Sequence, residues 1–170
     1  MTIRRTTEAN DNLSDPVTGL AWPSAQHDHL ELALLRARAS GSHVGVVLIE
    51  INDLLGIRQR WGWGVGDAVL HGVAGRINAV LRDDDSVVRL NGDEFLIVCE
   101  DVTGDEDIDA LVHRVARTLS RSLQVERHLF VLTISVAVAT GSGSTSADAL
   151  VADATSALAE ARDAPVSPRV

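Results

Sequence analysis

The chain has 170 residues, 45% of them hydrophobic and 23% charged, with 24 acidic side chains against 15 Lys plus Arg and a formal net charge of −9. That balance describes one globular domain able to bury a core, and it excludes the broad basic face that tracks nucleic-acid phosphates. A lone cysteine, Cys99, excludes an internal disulfide framework. The longest apolar run, Val44 to Ile51, is too short to span a bilayer and the N-terminus has no apolar signal segment, so the expectation is a cytoplasmic chain with neither DNA nor a membrane as partner.

Residues 1–14 read as a polar arm without periodicity. Asp15-Pro16-Val17-Thr18-Gly19-Leu20 reads as a turn, because Pro fixes φ and Gly relaxes it. Pro23 and Ser24 suit the first turn of a helix, carried to Ser40-Gly41 by Leu30, Ala33, Leu34 and Ala37. His27 and His29 lie two apart, so a helix points them in different directions and they make poor joint metal ligands. Val44 to Ile51 is apolar, β-branched and of strand length, as a central strand covered on both faces would be. A short helix follows from Asn52 to Trp61, then the cluster Gly62-Trp63-Gly64-Val65-Gly66-Asp67. This cluster follows a helix and lacks the Gly-Lys-Ser/Thr ending, which excludes both the dinucleotide and the P-loop phosphate cradles. Val69, Leu70, Val73, Ile77, Val80 and Leu81 then form a helical stripe.

After Arg82-Asp83-Asp84-Asp85 come two apolar runs, Ser86 to Leu90 and Phe95 to Cys99. Asn91-Gly92 between them predicts a β-hairpin whose turn residues tolerate positive φ, with Asp93 and Glu94 just beyond. Asp105 to Leu119 predicts a helix with acids in its first turn and Ile108, Leu111, Val112, Val115 and Leu119 on one face. Gln124–Glu126 and Phe130–Thr140 read as two strands joined at Arg127-His128, and Ser146 as the N-cap of a last helix reaching about Arg162. The tail from Ala164 carries two of the four prolines and reads as irregular. The expected organisation is an arm (1–14), one domain (15–163) and a tail (164–170). Its element order implies an α/β sandwich, a mixed central sheet with helices on its faces.

Arg89-Leu90-Asn91-Gly92-Asp93-Glu94-Phe95 resembles the Arg-x-Gly-Gly-Asp/Glu-Glu-Phe signature of the GGDEF family, the diguanylate cyclase domains, and Asp15 to Leu20 resembles the family's Asp-Pro-Leu-Thr-Gly-Leu opening motif. The resemblance covers roughly residues 15 to 162 and implies the sandwich related to nucleotidyl cyclase and polymerase palms. It also implies chemistry: two GTP molecules, held with Mg²⁺ or Mn²⁺ by two facing subunits of a homodimer, condense to the bacterial-type second messenger cyclic di-GMP. By the same resemblance Glu50, the carbonyl of Ile51 and Asp93 fall at the metal positions. Glu94 and Asp93 are the catalytic acids, and Arg58, Asp67, Gly92 and Arg162 take the GTP-contacting places.

Several positions depart from the family pattern. Glu50 stands for Asp, and Asn52 replaces a second Asp, keeping an acceptor without the charge. Arg58 replaces the base-reading Asn with a donor-only group. Leu55 removes a phosphate-binding Lys, Asn91 puts a side chain where the signature has Gly, and Val166 stands for an Arg. Arg82-Asp83-Asp84-Asp85 fits the family's Arg-x-x-Asp inhibitory site, which implies that Arg82 forks to or stacks on cyclic di-GMP while Asp85 accepts from a guanine edge. The resemblance therefore leads to a degenerate GGDEF domain in cyclic di-GMP signalling that binds the dinucleotide and cyclises GTP weakly or not at all. An active homodimeric cyclase, and a protein-docking scaffold without nucleotide, stand as the alternatives.

Overall fold

The computed structural model describes residues 14–162; most of the arm, and the whole tail with Val166 in it, lie outside the described residues. In chain order the elements are α1 (Pro23–Ser40), β1 (His43–Ile51), α2 (Leu54–Trp61), α3 (Trp63–Asn78), β2 (Ser86–Asn91), β3 (Glu94–Val102), α4 (Asp105–Leu119), β4 (Leu123–Val125), β5 (His128–Phe130), β6 (Ile134–Ser142) and α5 (Ala147–Arg162). The strands form a four-stranded sheet, β2-β3-β1-β6, and a separate two-stranded ribbon, β4-β5.

Strand periodicity divides the core in two. Side chains alternate across a strand, so Val47, Ile49 and Ile51 of β1 face one way, into a cluster with Leu54, Val69, Leu70, Ile77, Ile108 and Leu111 from α2, α3 and α4. Val44, Val46 and Leu48 face the other way, onto Leu30, Leu34, Leu150 and Leu158 of α1 and α5. Each side chain buried to this degree contributes about 1.5–3 kcal/mol, and β1, covered on both faces, anchors the sheet. Helix ends follow local chemistry. Pro23 occupies the first turn of α1, Gly41 closes it in the left-handed region at φ 77°, and Ser146 Oγ accepts from the Ala149 amide at 3.2 Å to cap α5.

Four expectations need correcting. The hairpin turn is Gly92-Asp93, not Asn91-Gly92: Asn91 pairs with Glu94 as the last residue of β2, and neither Asn91 nor Gly92 has a positive φ. The register shifts between Arg89 and Asn91, so Leu90 is an inserted residue that bends the strand and moves the turn on by one. The segment Phe130–Thr140 is not one strand; β5 ends at Phe130, residues 131–133 leave the ladder, and β6 begins at Ile134. The β4-β5 turn is accordingly Glu126-Arg127, with Glu126 at φ 53°. In the glycine cluster only Gly62, at φ 93°, interrupts the helices, and Trp63 starts α3. Finally, all the strand pairings of the main sheet are antiparallel, and among the described residues parallel character survives only in the isolated bridge from Ala21 to Val88.

Candidate functional site

The end of the sheet where β1 finishes gathers the β2-β3 turn, the start of β6 and the last turn of α5. Arg89 holds this end together. Its Nε and Nη2 donate to the Gly92 carbonyl at 3.1 and 2.7 Å, and its Nη1 reaches both Asp15 carboxylate oxygens at 3.3 Å. Asp15 in turn accepts from the Thr18 amide at 2.8 Å and the Thr18 hydroxyl at 2.6 Å. Burial pushes the Asp15 carboxyl up, but the Thr18 hydroxyl and amide and the Arg89 guanidinium outweigh it, and its pKa lies below the ordinary value. The opening motif and the hairpin signature, 74 residues apart, are thus one structural unit.

Glu50 and Glu94 sit opposite each other in the β1-β3 ladder. Both are even-numbered on strands whose even positions face α1 and α5, so their carboxylates rise toward the end of α5. Arg162 meets them there: its Nε donates to Glu50 Oε2 and its Nη2 to Glu94 Oε1 at 2.7 Å. Hydrogen bonding and charge from Glu50 are the main causes that raise the guanidinium's pKa, with Glu94 and Asp93 adding to them. Asn91 Nδ2 donates to the other Glu94 oxygen at 3.1 Å, and Asn52 Oδ1 accepts from the buried Ser135 hydroxyl at 3.1 Å. The Asp93 carbonyl accepts from the Ile51 amide at 3.0 Å, which seats the turn against the end of β1. Glu50, one of the acids that the resemblance puts at a metal position, is engaged by the Arg162 guanidinium, which a divalent cation there would have to displace. The two facing carboxylates hold a guanidinium, and among the described residues no three His, Cys, Asp or Glu side chains are grouped so as to hold a metal ion.

Across the α2-α3 corner, Arg58 Nη2 donates to Asp67 Oδ1 at 2.9 Å, and the guanidinium lies 4.4 Å from the centre of the Trp63 ring. The Arg58 stem runs over Gly66, where an added Cβ would stand 2.4 Å from Arg58 Cγ. The two positions that the resemblance assigns to guanine reading therefore satisfy each other. Arg58 Nε is buried without a partner among the described residues, a cost of about 1–3 kcal/mol that the ion pair and ring stacking offset. Leu55, in the place of the family's phosphate-binding Lys, is 61% exposed, and Gly92 presents open space at its Cα.

Arg82 and Asp85 form a closed turn on the flank of the domain. The Asp85 amide donates to the Arg82 carbonyl at 3.1 Å and the Arg82 amide to Asp85 Oδ2 at 3.0 Å. Arg82's side chain is 56% exposed, and its nearest acid is Asp107 at 3.8 Å. Burial raises the Asp85 pKa, against the Arg82 amide and the charges of Arg82 and Arg114. The recess behind the turn is lined by Cys99, Asp107 and Arg114 and holds about 10 Å³, room for roughly one water, so a ligand here would lie on the surface. Burial pushes the Cys99 thiol up to about 12, which makes it an inert core group. His27 and His29 contact different acids, Glu31 and Asp148 for the first and Glu100 for the second.

Arg58, Asp67, Glu50, Glu94 and Arg162 are candidates from the sequence, but their pairing is visible only in the fold. Arg162 and Glu50 are 112 residues apart, and only the β1-β3 register makes one cation reach both acids. Asp15, Arg89 and Trp63 are site residues that the sequence does not mark as such; the first two lie within the opening motif and the hairpin signature, which is the signal that could have found them.

The chain matches the GGDEF family model, described as diguanylate cyclase, GGDEF domain, over residues 12–167. The diguanylate cyclase TpbB of Pseudomonas aeruginosa is 33% identical over 110 residues, which are 65% of this chain and 24% of that protein. The cyclic di-GMP phosphodiesterase NbdA of the same organism is 30% identical over 121 residues, 71% of this chain and 15% of that one. This chain thus spans less than a quarter of the length of either relative. The GGDEF domain of DgcB from Caulobacter crescentus, solved in complex with c-di-GMP, superposes with a TM-score of 0.83 at 23% identity, over 96% of this chain and 92% of that one, and establishes the shared fold.

Proposed function

The chain belongs to the GGDEF family of diguanylate cyclase domains, and on that footing we propose that it serves cyclic di-GMP signalling as a receptor. In this reading residues 15–163 are the working unit, which binds cyclic di-GMP at Arg82 and Asp85 and condenses GTP weakly or not at all. One observation carries the reading. The arginines at the nucleotide end, Arg58 and Arg162, are both paired with acids of the chain, whereas the Arg82 guanidinium stands exposed, 3.8 Å from its nearest acid.

The chemistry follows from the groups that remain available. A guanidinium forks to a phosphate or to the O6 and N7 edge of guanine, and it stacks on a base. Asp85, held by its own turn with one oxygen bonded to the Arg82 amide, keeps a second oxygen to accept from guanine N–H groups. Catalysis would instead need Asp93 and Glu94 beside divalent cations, Gly92 against the nucleotide, and Asp67 free to read guanine. Arg162 and Arg58 stand against the first and last of these.

Calorimetric titration of the full chain with cyclic di-GMP, beside product analysis after incubation with GTP and Mg²⁺ or Mn²⁺, tests the reading. Saturable micromolar binding without product is the expected result. Cyclic di-GMP made from GTP and abolished by Asp93→Ala would make the chain a cyclase. An absence of binding would remove the receptor role and leave protein docking.

A further inference from the structure

Cross-strand neighbours of like charge repel, yet Glu50 and Glu94 are opposite partners in the ladder with side chains only 16% and 19% exposed. Arg162 is what makes that placement tolerable. Its two donations come from separate N–H groups of one rigid plane, at a spacing that a single ammonium cannot reproduce. Asn91 occupies the second Glu94 oxygen and Ser135 the Asn52 oxygen, so both oxygens of Glu94 and one of Glu50 already have partners within the chain.

We propose that Arg162 is a built-in cation standing where the acids would otherwise draw a divalent metal, so that Glu50, Glu94 and Arg162 form a closed clamp and not a metal site. The clamp fastens the last turn of α5 to the end of β1 and to the β2-β3 hairpin. It deepens the degenerate reading above, on which it rests for the identity of this cleft. Magnesium demands near-octahedral oxygen ligation, and either magnesium or manganese would have to displace the guanidinium from both carboxylates. A guanidinium does not lose its proton in a protein, so raising the pH leaves the clamp closed.

Manganese itself is the probe. Titrating Mn²⁺ into the full chain and following the free ion by electron paramagnetic resonance compares wild type with Arg162→Ala, Arg162→Gln and the double variant Arg162→Ala/Glu50→Gln. The wild type should leave Mn²⁺ free, both single variants should take it up on the order of tenfold more tightly after solvent screening, and the double variant should lose that gain. Arg162→Gln keeps much of the side-chain stem, so it serves if the alanine variant does not fold. Equal uptake by wild type and single variants, or no uptake by folded single variants, overturns the clamp. Cyclic di-GMP titrated into the same samples separates the two proposals. Loss of dinucleotide binding with the manganese pattern intact removes the receptor role alone, and the reverse removes the clamp alone.

Discussion

At the end of the sheet Arg58 and Arg162 are held by Asp67, Glu50 and Glu94, whereas on the flank Arg82 keeps a mostly exposed guanidinium at 3.8 Å from Asp107. The two regions use the same residue types with opposite results. In the first, strand register and the α2-α3 corner bring acids within bonding distance of each arginine, so a ligand has to break internal contacts before making its own. In the second, the turn satisfies backbone groups and leaves the guanidinium mostly exposed, with Asp107 at the limit of ion-pair distance. The difference teaches that the readiness of a charged site follows from what its charges already touch, more than from which residues are present.

The largest expected effect tests the scaffold that both regions depend on. Asp15→Ala leaves Arg89, only 13% exposed, without its acidic partner and should cost about 3 kcal/mol in chemical denaturation. The sign of its pH dependence follows from the lowered Asp15 pKa. The stability it contributes is present above the ordinary value of 3.8 and is lost as pH falls through the lower folded value. The variant's stability should therefore depend less on pH below about 4 than the wild type's. Equal acid sensitivity in the two proteins would count against the Asp15-Arg89 pair.

Next in size, Arg82→Ala should weaken cyclic di-GMP binding by roughly tenfold to a hundredfold, the worth of a charge-assisted contact, with the melting temperature nearly unchanged. Retained affinity would erase the contrast between the two regions. Gly66→Ala probes the other side of that contrast, since its Cβ would stand 2.4 Å from Arg58 Cγ. Overpacking costs about 1–3 kcal/mol and helix propensity returns up to about 1 kcal/mol, which leaves a net loss of about 1 kcal/mol, readable by thermal denaturation. The smallest effect is expected from Asp85→Asn. Burial raises the Asp85 pKa, so the ionised carboxylate opposes folding above that value, and the variant should gain less than about 1 kcal/mol near neutrality after solvent screening. The gain should disappear as the pH falls and the wild-type carboxyl takes up its proton.

Much of the fold was legible because its signals are local. The α4 bounds, Asp105 to Leu119, match the expectation residue for residue, since an amphipathic stripe with acids in its first turn needs no distant information. The same holds for Pro23 at the start of α1 and for Ser146 at the start of α5. The misses were decided by pairing. Leu90 looks like any strand residue until the β2-β3 register shows it as an insertion, and Val131-Leu132-Thr133 continues an apolar run although the backbone there leaves the ladder.

The candidate site divides in the same way. Its residue types, their order and the turn at Arg82 to Asp85 were set by the sequence alone, because motif spacing and turn chemistry act over a few residues. Whether each charge is free or engaged was decided only by tertiary structure. Glu50 and Glu94 become neighbours through the β1-β3 register, and Arg162 reaches them because α5 packs along that face of the sheet. Electrostatic interaction falls with distance in space and takes no account of separation along the chain, so the fate of these charges depended on the fold.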